Sequence, residues 1–353
     1  MEELSWNILA GENVFEHLDD VLSTQYEKVF FLVDENTHEY CLPIVLQSLT
    51  ELKEYEILEV PAGEESKCLD VAANLWRSLN DLGATRDSLI INVGGGMITD
   101  LGGFVASTYK RGIGFIHVPT SLLAMVDAAI GGKTGVDLDA VKNLVGTFHE
   151  ADYTLIYPPF IETLPQRETI AGFAEVVKHG LLDGQPLLDL LLTSWHQNDF
   201  ETLIMESARV KIDIVEEDFD EGSLRKVLNF GHTLGHAVES YFLDKGQAIL
   251  HGEAIAAGIL MESWLSMQHA GLSSIAFSQI VQIIRNVFPD LHWPEKDDVS
   301  ILYWLQFDKK NEADVQQYAL LQDIGDCTHG HPIAIEQSAA ALAFYRKLVA
   351  NNA

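Results

Sequence analysis

The sequence predicts an α/β N-terminal domain, a parallel sheet covered by helices, followed by a mostly α-helical C-terminal domain. Between residues 28 and 158, short β-branched or aromatic runs alternate with longer amphipathic segments, the pattern of strands connected through helices. Past "YPPFIETLPQRE" the strand signals largely stop and apolar residues recur with helical period. Pro158, Pro159 and Pro165 interrupt regular structure where the pattern changes, so the boundary falls near residue 165, with domains at 1–165 and 166–353. A length of 353 residues suits two domains of ordinary size.

Taken in order, "KVFFLVDENT" (28–37) opens with a continuous apolar run of strand length, and "YEILEV" (55–60) gives a second strand. The segment "DVAANLWRSLNDL" (70–82) carries apolar residues at helical spacing. "SLIINV" (88–93) is a third strand, and "INVGGGMITDLGGF" reads as that strand ending in Gly94, Gly95 and Gly96 before a helix. "GFIHVP" (114–119) and "YTLIYP" (153–158) complete the strands of the first half. The second half reads as helices in "TIAGFAEVVKHGLLDG", "PLLDLLLTSWHQ", "ETLIMESARVKIDIVEEDF", "VLNFGHTLGHAVESYF", "GEAIAAGILMESWLSMQ" and "IAFSQIVQIIRNVF". A hairpin-like piece near "YALLQDIGD" (318–326) is its one plausible strand, and no internal repeat appears.

Composition narrows the partners. With 47% hydrophobic and 21% charged residues the chain has the apolar surface to fold. Its 53 acidic and 22 basic residues give a formal charge of -31, which repels phosphate backbones and anionic membranes and argues against nucleic acid as a partner. The start "MEELSWNILAGENVFEHL" lacks the basic and apolar regions of a signal peptide. No run of about 18 uncharged apolar residues occurs, so a soluble, cytoplasmic protein is expected, with no membrane partner. Cys41, Cys68 and Cys327 are odd in number and far apart, which suggests neither a disulfide framework nor a zinc-thiolate site.

Chemistry concentrates in a few stretches. Glycines between a strand and a helix let backbone approach a phosphate while the helix N-terminus offers free N–H groups; a tight strand-to-helix turn is the plainer alternative. "AGEESK" (62–67) follows a strand and belongs to the same carboxyl edge, where open α/β sheets bind ligands; by itself such a hexapeptide is a solvated loop. His232 and His236 stand four apart in "NFGHTLGHAVE", "LHGEA" adds His251 and Glu253, and "GFAEVVKHG" supplies Glu175, Lys178 and His179. Two histidines and one carboxylate with an open position make a common catalytic zinc set. Of the 22 basic residues, ten lie in or beside these segments: Lys67, Lys110, Arg111, Lys133, Lys142, Lys178, Lys211, Arg225, Lys309 and Lys310. Cations gathered this way in an acidic chain point to phosphate and carboxylate ligands.

With these motifs in order, the sequence resembles the 3-dehydroquinate synthase family of the sugar phosphate cyclases. The resemblance runs through "GGGMITDLGGFVASTYKRG", "PTSLLAMVDAAIGGKTGVD", "KNLVGTFH", "TLPQRETIAGFAEVVKHG", "LRKVLNFGHTLGHAVE", "LHGEA" and "DKKNEADVQQYALLQDIG". It implies a dehydroquinate synthase-like fold with an NAD-binding α/β domain and a helical metal-binding domain, usually in a homodimer. It implies conversion of 3-deoxy-D-arabino-heptulosonate 7-phosphate to 3-dehydroquinate and phosphate, in the shikimate pathway of aromatic amino acid biosynthesis. The implied sequence is transient oxidation by NAD, phosphate elimination, re-reduction and intramolecular aldol closure, without net redox.

Carried over by position, the resemblance implies NAD contacts at Asp34, Asn36, Gly63, Glu64, Glu65, Ser66, Lys67, Gly95, Gly96, Met97, Ile98, Thr99, Asp100, Thr120, Ser121, Lys142, Phe160, Ile161, Glu162 and Thr163. It implies zinc or cobalt at Glu175, His232 and His251, with His236 outside the metal shell as a proton-transfer residue and Glu221 as a second acid/base. The implied substrate set is Arg111, Asp127, Lys133, Asn143, Lys178, Lys211, Arg225, Asn229, and Lys309 or Lys310; Lys133 also serves the cofactor. Ser121 departs from the usual Thr of the family, and Asp137 from the usual Asn. Other sugar phosphate cyclases resemble this chain too but tend to alter the carboxylate-binding set. Metal-dependent polyol dehydrogenases share the build and the Gly-Gly-Gly turn but usually take an Asp where this chain offers Glu175.

Overall fold

A strand buried on both faces needs apolar residues without alternation. Val29–Val33 and Leu89–Ile91 meet that demand: every one of these side chains is buried, and both runs are central strands of the first unit. The computed structural model describes residues 1–5, 7–22, 26–50, 52, 54–138, 141–197, 200–305 and 315–350. The chain divides into two compact units, Met1–Thr169 with Phe200–Glu216, and Ile170–Asp199 with Glu217–Ala353.

The first unit holds strands β1 (Glu2–Ser5), β2 (Ile8–Ala10), β3 (Lys28–Asp34), β4 (Glu56–Val60), β5 (Ser88–Gly94), β6 (Gly114–Pro119), β7 (Lys133–Leu138), β8 (Val141–Phe148) and β9 (Tyr153–Ile156). Its helices are α1 (Val14–Leu22), α2 (Glu35–Tyr40), α3 (Leu42–Ser48), α4 (Leu69–Asp81) and α5 (Gly96–Thr108). Seven strands form one sheet in the order β1-β2-β9-β6-β5-β3-β4. Only the β1–β2 pair is antiparallel; the other pairings are parallel. From β3 the chain steps outward to β4, then returns past β3 to β5 and onward through β6 to β9. The order therefore reverses between β3 and β5, a switch point at whose carboxyl edge α/β sheets take ligands.

Helix α5 lies between this sheet and the antiparallel β7–β8 hairpin, and two adjacent glycines make the fit. A Cβ on Gly102 would sit 1.9 Å from Asn92 Oδ1 of β5, and one on Gly103 would sit 2.6 Å from the Thr134 side chain of β7. Any side chain at these positions would push the helix off one neighbour or the other. The hairpin itself is absent from the strand pattern expected above. The core under α4 and α5 is Phe30, Leu32, Leu75, Ile90, Ile98, Leu101, Val105 and Phe115 with their neighbours.

Later in the chain come α6 (Gln166–Asp183), α7 (Gln185–Gln197), α8 (Phe200–Glu217), α9 (His232–Asp244), α10 (His251–His269), α11 (Ser274–Val287), α12 (Asp298–Trp304) and α13 (Ile335–Ala350). Of these, α8 belongs almost entirely to the first unit, and the rest build the second. Two details correct the sequence expectation. "VLNFGHTLGHAVESYF" is not one helix: Leu224–Asn229 form 3-10 turns, and Gly231, left-handed at φ 83°, breaks the chain before α9 starts at His232. The hairpin piece comprises two nine-residue strands, β10 (Val315–Asp323) and β11 (Asp326–Ala334). Strand β11 gives no strand signal because its polar sequence "DCTHGHPIA" carries Gly330 and Pro332 and lies mostly open to solvent. No disulfide joins Cys41, Cys68 and Cys327. No helix among the described residues is long and apolar enough to cross a membrane.

Candidate functional site

In the first unit the segments singled out for the cofactor follow the carboxyl ends of five parallel strands. Asp34 closes β3 and caps α2: its carboxylate accepts from the N–H groups of Asn36 and Thr37, both at 2.9 Å. Gly63 through Lys67 follow β4 in a 3-10 turn, with Gly63 left-handed at φ 110°. Gly95 is the N-cap of α5, and neither it nor Gly94 nor Gly96 has positive φ. Close approach demands glycine at position 94, where a Cβ would strike the Ile98 side chain at 2.4 Å, and leaves little room at Gly95, where a Cβ would lie 3.2 Å from Ser121 Oγ. Gly95 and Gly96 thus present bare backbone at the N-terminus of α5, a ready cradle for an anionic group; Met97 and Ile98 follow in the first turn, and Thr99 N–H closes it by donating to Gly95 O at 3.0 Å. Thr120 and Ser121 follow β6; Thr120 N–H donates to Gly94 O at 3.0 Å, and Ser121 Oγ accepts from Ala124 N–H at 3.3 Å. Glu162 and Thr163 end the turn after β9, whereas Phe160 and Ile161 are buried, Phe160 packing on Phe15 and Tyr157.

Lys67 ties three of these elements together. Its buried Nζ donates to Asp100 Oδ2 on α5 at 2.5 Å and to Asn143 Oδ1 on β8 at 2.6 Å. Burial opposes the charge, but Asp100 and Glu64 outweigh it and hold the ammonium above the usual amine range. Burial pushes the Asp100 carboxyl upward against the pull of Lys67, and their direct contact favours the ionised pair. Glu64 also faces Lys142 at 3.8 Å. Asp137 has a clear role here: its carboxylate accepts the Asn143 N–H at 2.7 Å, while its own N–H donates to Lys67 O at 2.8 Å. Asp137 therefore pins Asn143, left-handed at φ 52°. Local spacing in the sequence gives no sign of this contact.

Substrate candidates of the first unit fall in two groups. Lys211 on α8 donates to Asp127 Oδ1 at 2.8 Å, and Asp127 sits in a single π-helical turn, Ala124–Ala128, of a kind frequent at functional sites. Arg111 and Lys133 are exposed, Arg111 in a left-handed conformation at φ 73° and Lys133 at the head of β7.

The second unit gathers the metal candidates. Glu175 is fully buried on α6, and its Oε1 has no hydrogen-bond partner among the described residues. His232 Nε2 and His251 Nε2 face that oxygen at 3.5 and 3.8 Å. The opposite ring nitrogens meet acceptors: His251 Nδ1 lies 3.1 Å from Glu239 Oε2, and His232 Nδ1 lies 3.2 Å from Phe230 O. Those contacts favour protons on both Nδ1 atoms, so the two Nε2 lone pairs confront a carboxylate oxygen with no donor among them. Electron-rich atoms held this way suit a cation, since ligands of a tetrahedral zinc bound at about 2.0–2.2 Å stand about 3.3–3.6 Å apart. The residues fit the metal.

His236 is exposed, and its ring lies 5.1 Å from that of His232 and 5.5 Å from that of His251. A His232, His236 and His251 set is thus also within ligand reach. Lys178, buried, contacts Glu175 Oε2 from one turn on. Close backbone approach sets the spacing: a Cβ on Gly252 would lie 1.8 Å from Ala171 O, so the first turn of α10 rests directly on α6 one turn before Glu175.

Ahead of α9, Asn229 Nδ2 donates to Glu221 Oε1 at 3.0 Å, and Glu221 is left-handed at φ 57°. The Arg225 guanidinium is buried and donates to Phe219 O at 2.5 Å. Asp218, not singled out in the sequence, organises this loop by accepting the N–H groups of Gly222, Ser223 and Arg225 at 2.8, 2.7 and 2.9 Å. Those bonds, led by Ser223, hold its carboxyl below the usual range. An Asp a few residues before a glycine-bearing loop is the one local cue that could have found it. Lys309 and Lys310 lie outside the described residues.

Two family models match in succession, the 3-dehydroquinate synthase N-terminal model over residues 57–171 and the C-terminal model over 172–311. A 3-dehydroquinate synthase from Parabacteroides distasonis is 40% identical over 347 residues, covering 96% of this chain and 98% of the relative. Among solved structures, 2-epi-5-epi-valiolone synthase from Streptomyces hygroscopicus with NAD+ and Zn2+ bound superposes with a TM-score of 0.86 at 25% identity, covering 99% of this chain and 98% of that one. A 2-deoxy-scyllo-inosose synthase complexed with carbaglucose-6-phosphate, NAD+ and Co2+ gives 0.82 at 26% identity, covering 96% of each chain.

Proposed function

The chain belongs to the 3-dehydroquinate synthase family, and from that premise we infer that it converts 3-deoxy-D-arabino-heptulosonate 7-phosphate to 3-dehydroquinate and phosphate. It is an NAD- and metal-dependent carbon-oxygen lyase of the shikimate pathway. The observation that carries the chemistry is the buried, donorless Glu175 Oε1 facing two histidine nitrogens within the region of the C-terminal family model. When bound, NAD supplies a transient oxidation and re-reduction, and zinc or cobalt supplies a Lewis acid for the substrate oxygens.

The chain's own residues do the rest. Gly95 and Gly96, with the free N–H groups of the first turn of α5, receive the cofactor pyrophosphate, and Asp34 marks the adenosine side across the switch point. Glu175, His232 and His251 hold the metal. Arg111, Lys133, Lys178, Lys211 and Arg225 bind the phosphate and carboxylate of the substrate, with Asn143 and Asn229 beside them. Asp127 orients Lys211 through their ion pair. His236 offers an exposed imidazole for proton transfer, and Glu221, held by Asn229, is the second acid/base candidate. Holding the opened intermediate, formed after phosphate has left, in one orientation while the new ring closes itself lowers the barrier by several kcal/mol.

The protein acts as a cytoplasmic homodimer in this reading, and sedimentation as a monomer would remove the dimer. Substrate choice is tested by offering the NAD- and zinc-loaded protein 3-deoxy-D-arabino-heptulosonate 7-phosphate beside heptulose and hexose phosphates that lack a carboxylate. Phosphate release from the sugar acid is the expected result. Release only from a neutral sugar phosphate would overturn the assignment in favour of another cyclase.

A further inference from the structure

We propose that Glu239 and Glu262 are positioning residues for the metal centre, forming a reciprocal lock in which each of α9 and α10 fixes the ligand histidine of the other. The inference rests on the metal reading given above. His232 is the first residue of α9 and His251 the first of α10. First turns are where helices fray and where backbone N–H groups lack partners. Ligands that must hold their geometry within about half an ångström are poorly served by such a position unless something fastens it.

Each helix supplies that fastening to its neighbour. Glu239, in the middle of α9, reaches His251 Nδ1 with its Oε2 at 3.1 Å. Glu262, deep in α10, reaches back to the start of α9: its Oε2 accepts the Gly231 N–H at 2.7 Å and its Oε1 accepts the Leu234 N–H at 2.8 Å. Gly231 is the N-cap of α9 and has no side chain with which to cap, so a carboxylate from α10 does so through both oxygens. A negative charge there also meets the positive end of the helix dipole. Both glutamates are buried, Glu239 at 4% and Glu262 at 0% exposure, and a buried carboxylate is tolerated only with such partners.

The reach of the lock is set by glycine. A Cβ on Gly258 would lie 1.9 Å from Gly231 O, and one on Gly235 would lie 3.2 Å from Ala254 O, so the two helices touch through bare backbone. At that separation one glutamate side chain spans the gap in each direction. Glu239 fixes the tautomer and rotation of His251, while Glu262 fixes the turn from which His232 projects.

The test is zinc titration of the full-length chain, stripped by chelator and read against a chromophoric competitor, together with the visible absorption spectrum of the cobalt-loaded protein. Glu175→Gln and His232→Ala test the metal reading; Glu239→Gln, Glu239→Leu and Glu262→Gln test the lock. Outer partners of metal ligands are worth about 10–100-fold in affinity, so Glu239→Leu is expected near the upper figure. Glu239→Gln, whose amide oxygen can still accept from Nδ1, should recover much of that loss. Glu262→Gln turns one acceptor into a donor facing a backbone N–H, should weaken zinc by about tenfold or more, and should shift the cobalt spectrum. Should Glu262→Gln not fold, the two Glu239 variants decide whether the lock stands. If wild type binds zinc, Glu175→Gln and His232→Ala abolish binding, and the Glu239 and Glu262 variants bind like wild type with an unchanged cobalt spectrum, the lock is wrong. If wild type does not bind zinc, or binds it equally without Glu175, the metal reading fails and the lock fails with it.

Discussion

Four non-glycine residues among those described have left-handed backbone, Lys110, Arg111, Asn143 and Glu221; Arg111 and Asn143 are singled out for the substrate and Glu221 as an acid/base. Such conformations cost about 1–3 kcal/mol and persist where surroundings over-determine them, as Asp137 and Lys67 do for Asn143. The resemblance named Asn143, but its fixing by Asp137 was illegible, because the contact crosses a hairpin turn that the strand pattern had not suggested. The same limit hid Glu239 and Glu262, which reach residues twelve or more positions away. His236 is separable from the metal set by zinc titration: His236→Ala should bind zinc much as wild type does, and a loss matching that of Glu175→Gln would put His236 inside the shell. A second prediction concerns His117, buried on β6 with its Nδ1 3.2 Å from Asn92 Nδ2 and pushed down to about 3 by burial. The unfolded chain takes up this proton near 6.5 and the folded chain only near 3, so across that window the unfolded state binds more protons and stability rises with pH. His117→Phe should therefore lower the slope of unfolding free energy against pH by about 1.4 kcal/mol per unit within that window; an unchanged slope would show that the folded protein protonates His117 normally.

At the scale of elements, the parallel strands from β3 onward and most of the helices were legible because their apolar runs are long and of one period, whereas the three-residue β2, parallel to β9, is too short to show a pattern. The Gly94–Gly96 turn at the end of β5 followed from its glycines, although crowding by Ile98 at Gly94, not positive φ, is what demands the first of them. The β7–β8 hairpin was not legible, since it is half exposed and its "KTGVDL" and "VKNLVGTF" break the apolar run with glycine and charge. It nonetheless decides how α5 is held, and the glycine pair on that helix records the squeeze. Helix contacts in the second unit yield a sharper prediction. Gly252→Ala would set a methyl group 1.8 Å from Ala171 O, a backbone atom that cannot swing aside. It should destabilise by about 3 kcal/mol, at the upper end of overpacking, and weaken zinc binding by moving His251 away from Glu175. Denaturant midpoints and zinc titration check both effects, and a variant with wild-type stability and affinity would mean that α6 and α10 do not meet there.

For the whole molecule, the formal charge of -31 set against clustered cations argues for a chain that concentrates positive potential where anions bind and leaves the remaining surface strongly acidic. Self-repulsion of that surface should make stability depend on salt. Raising ionic strength from about 0.01 to 0.15 M, which shortens the screening length from about 30 to 8 Å, should raise the melting temperature; a salt-insensitive midpoint would show that the acidic groups are locally balanced. The whole-chain reading was legible because several long motifs stand in order along it, and both family models fall on the same order. The central claim is that the oxidation at the NAD site is transient and serves phosphate elimination at the metal. It is tested most directly by following phosphate release from 3-deoxy-D-arabino-heptulosonate 7-phosphate and NADH absorbance together in one cuvette. Phosphate release that requires both NAD and zinc or cobalt, with no accumulating NADH, is the predicted result. Steady growth of NADH without phosphate would contradict it and make the chain a dehydrogenase.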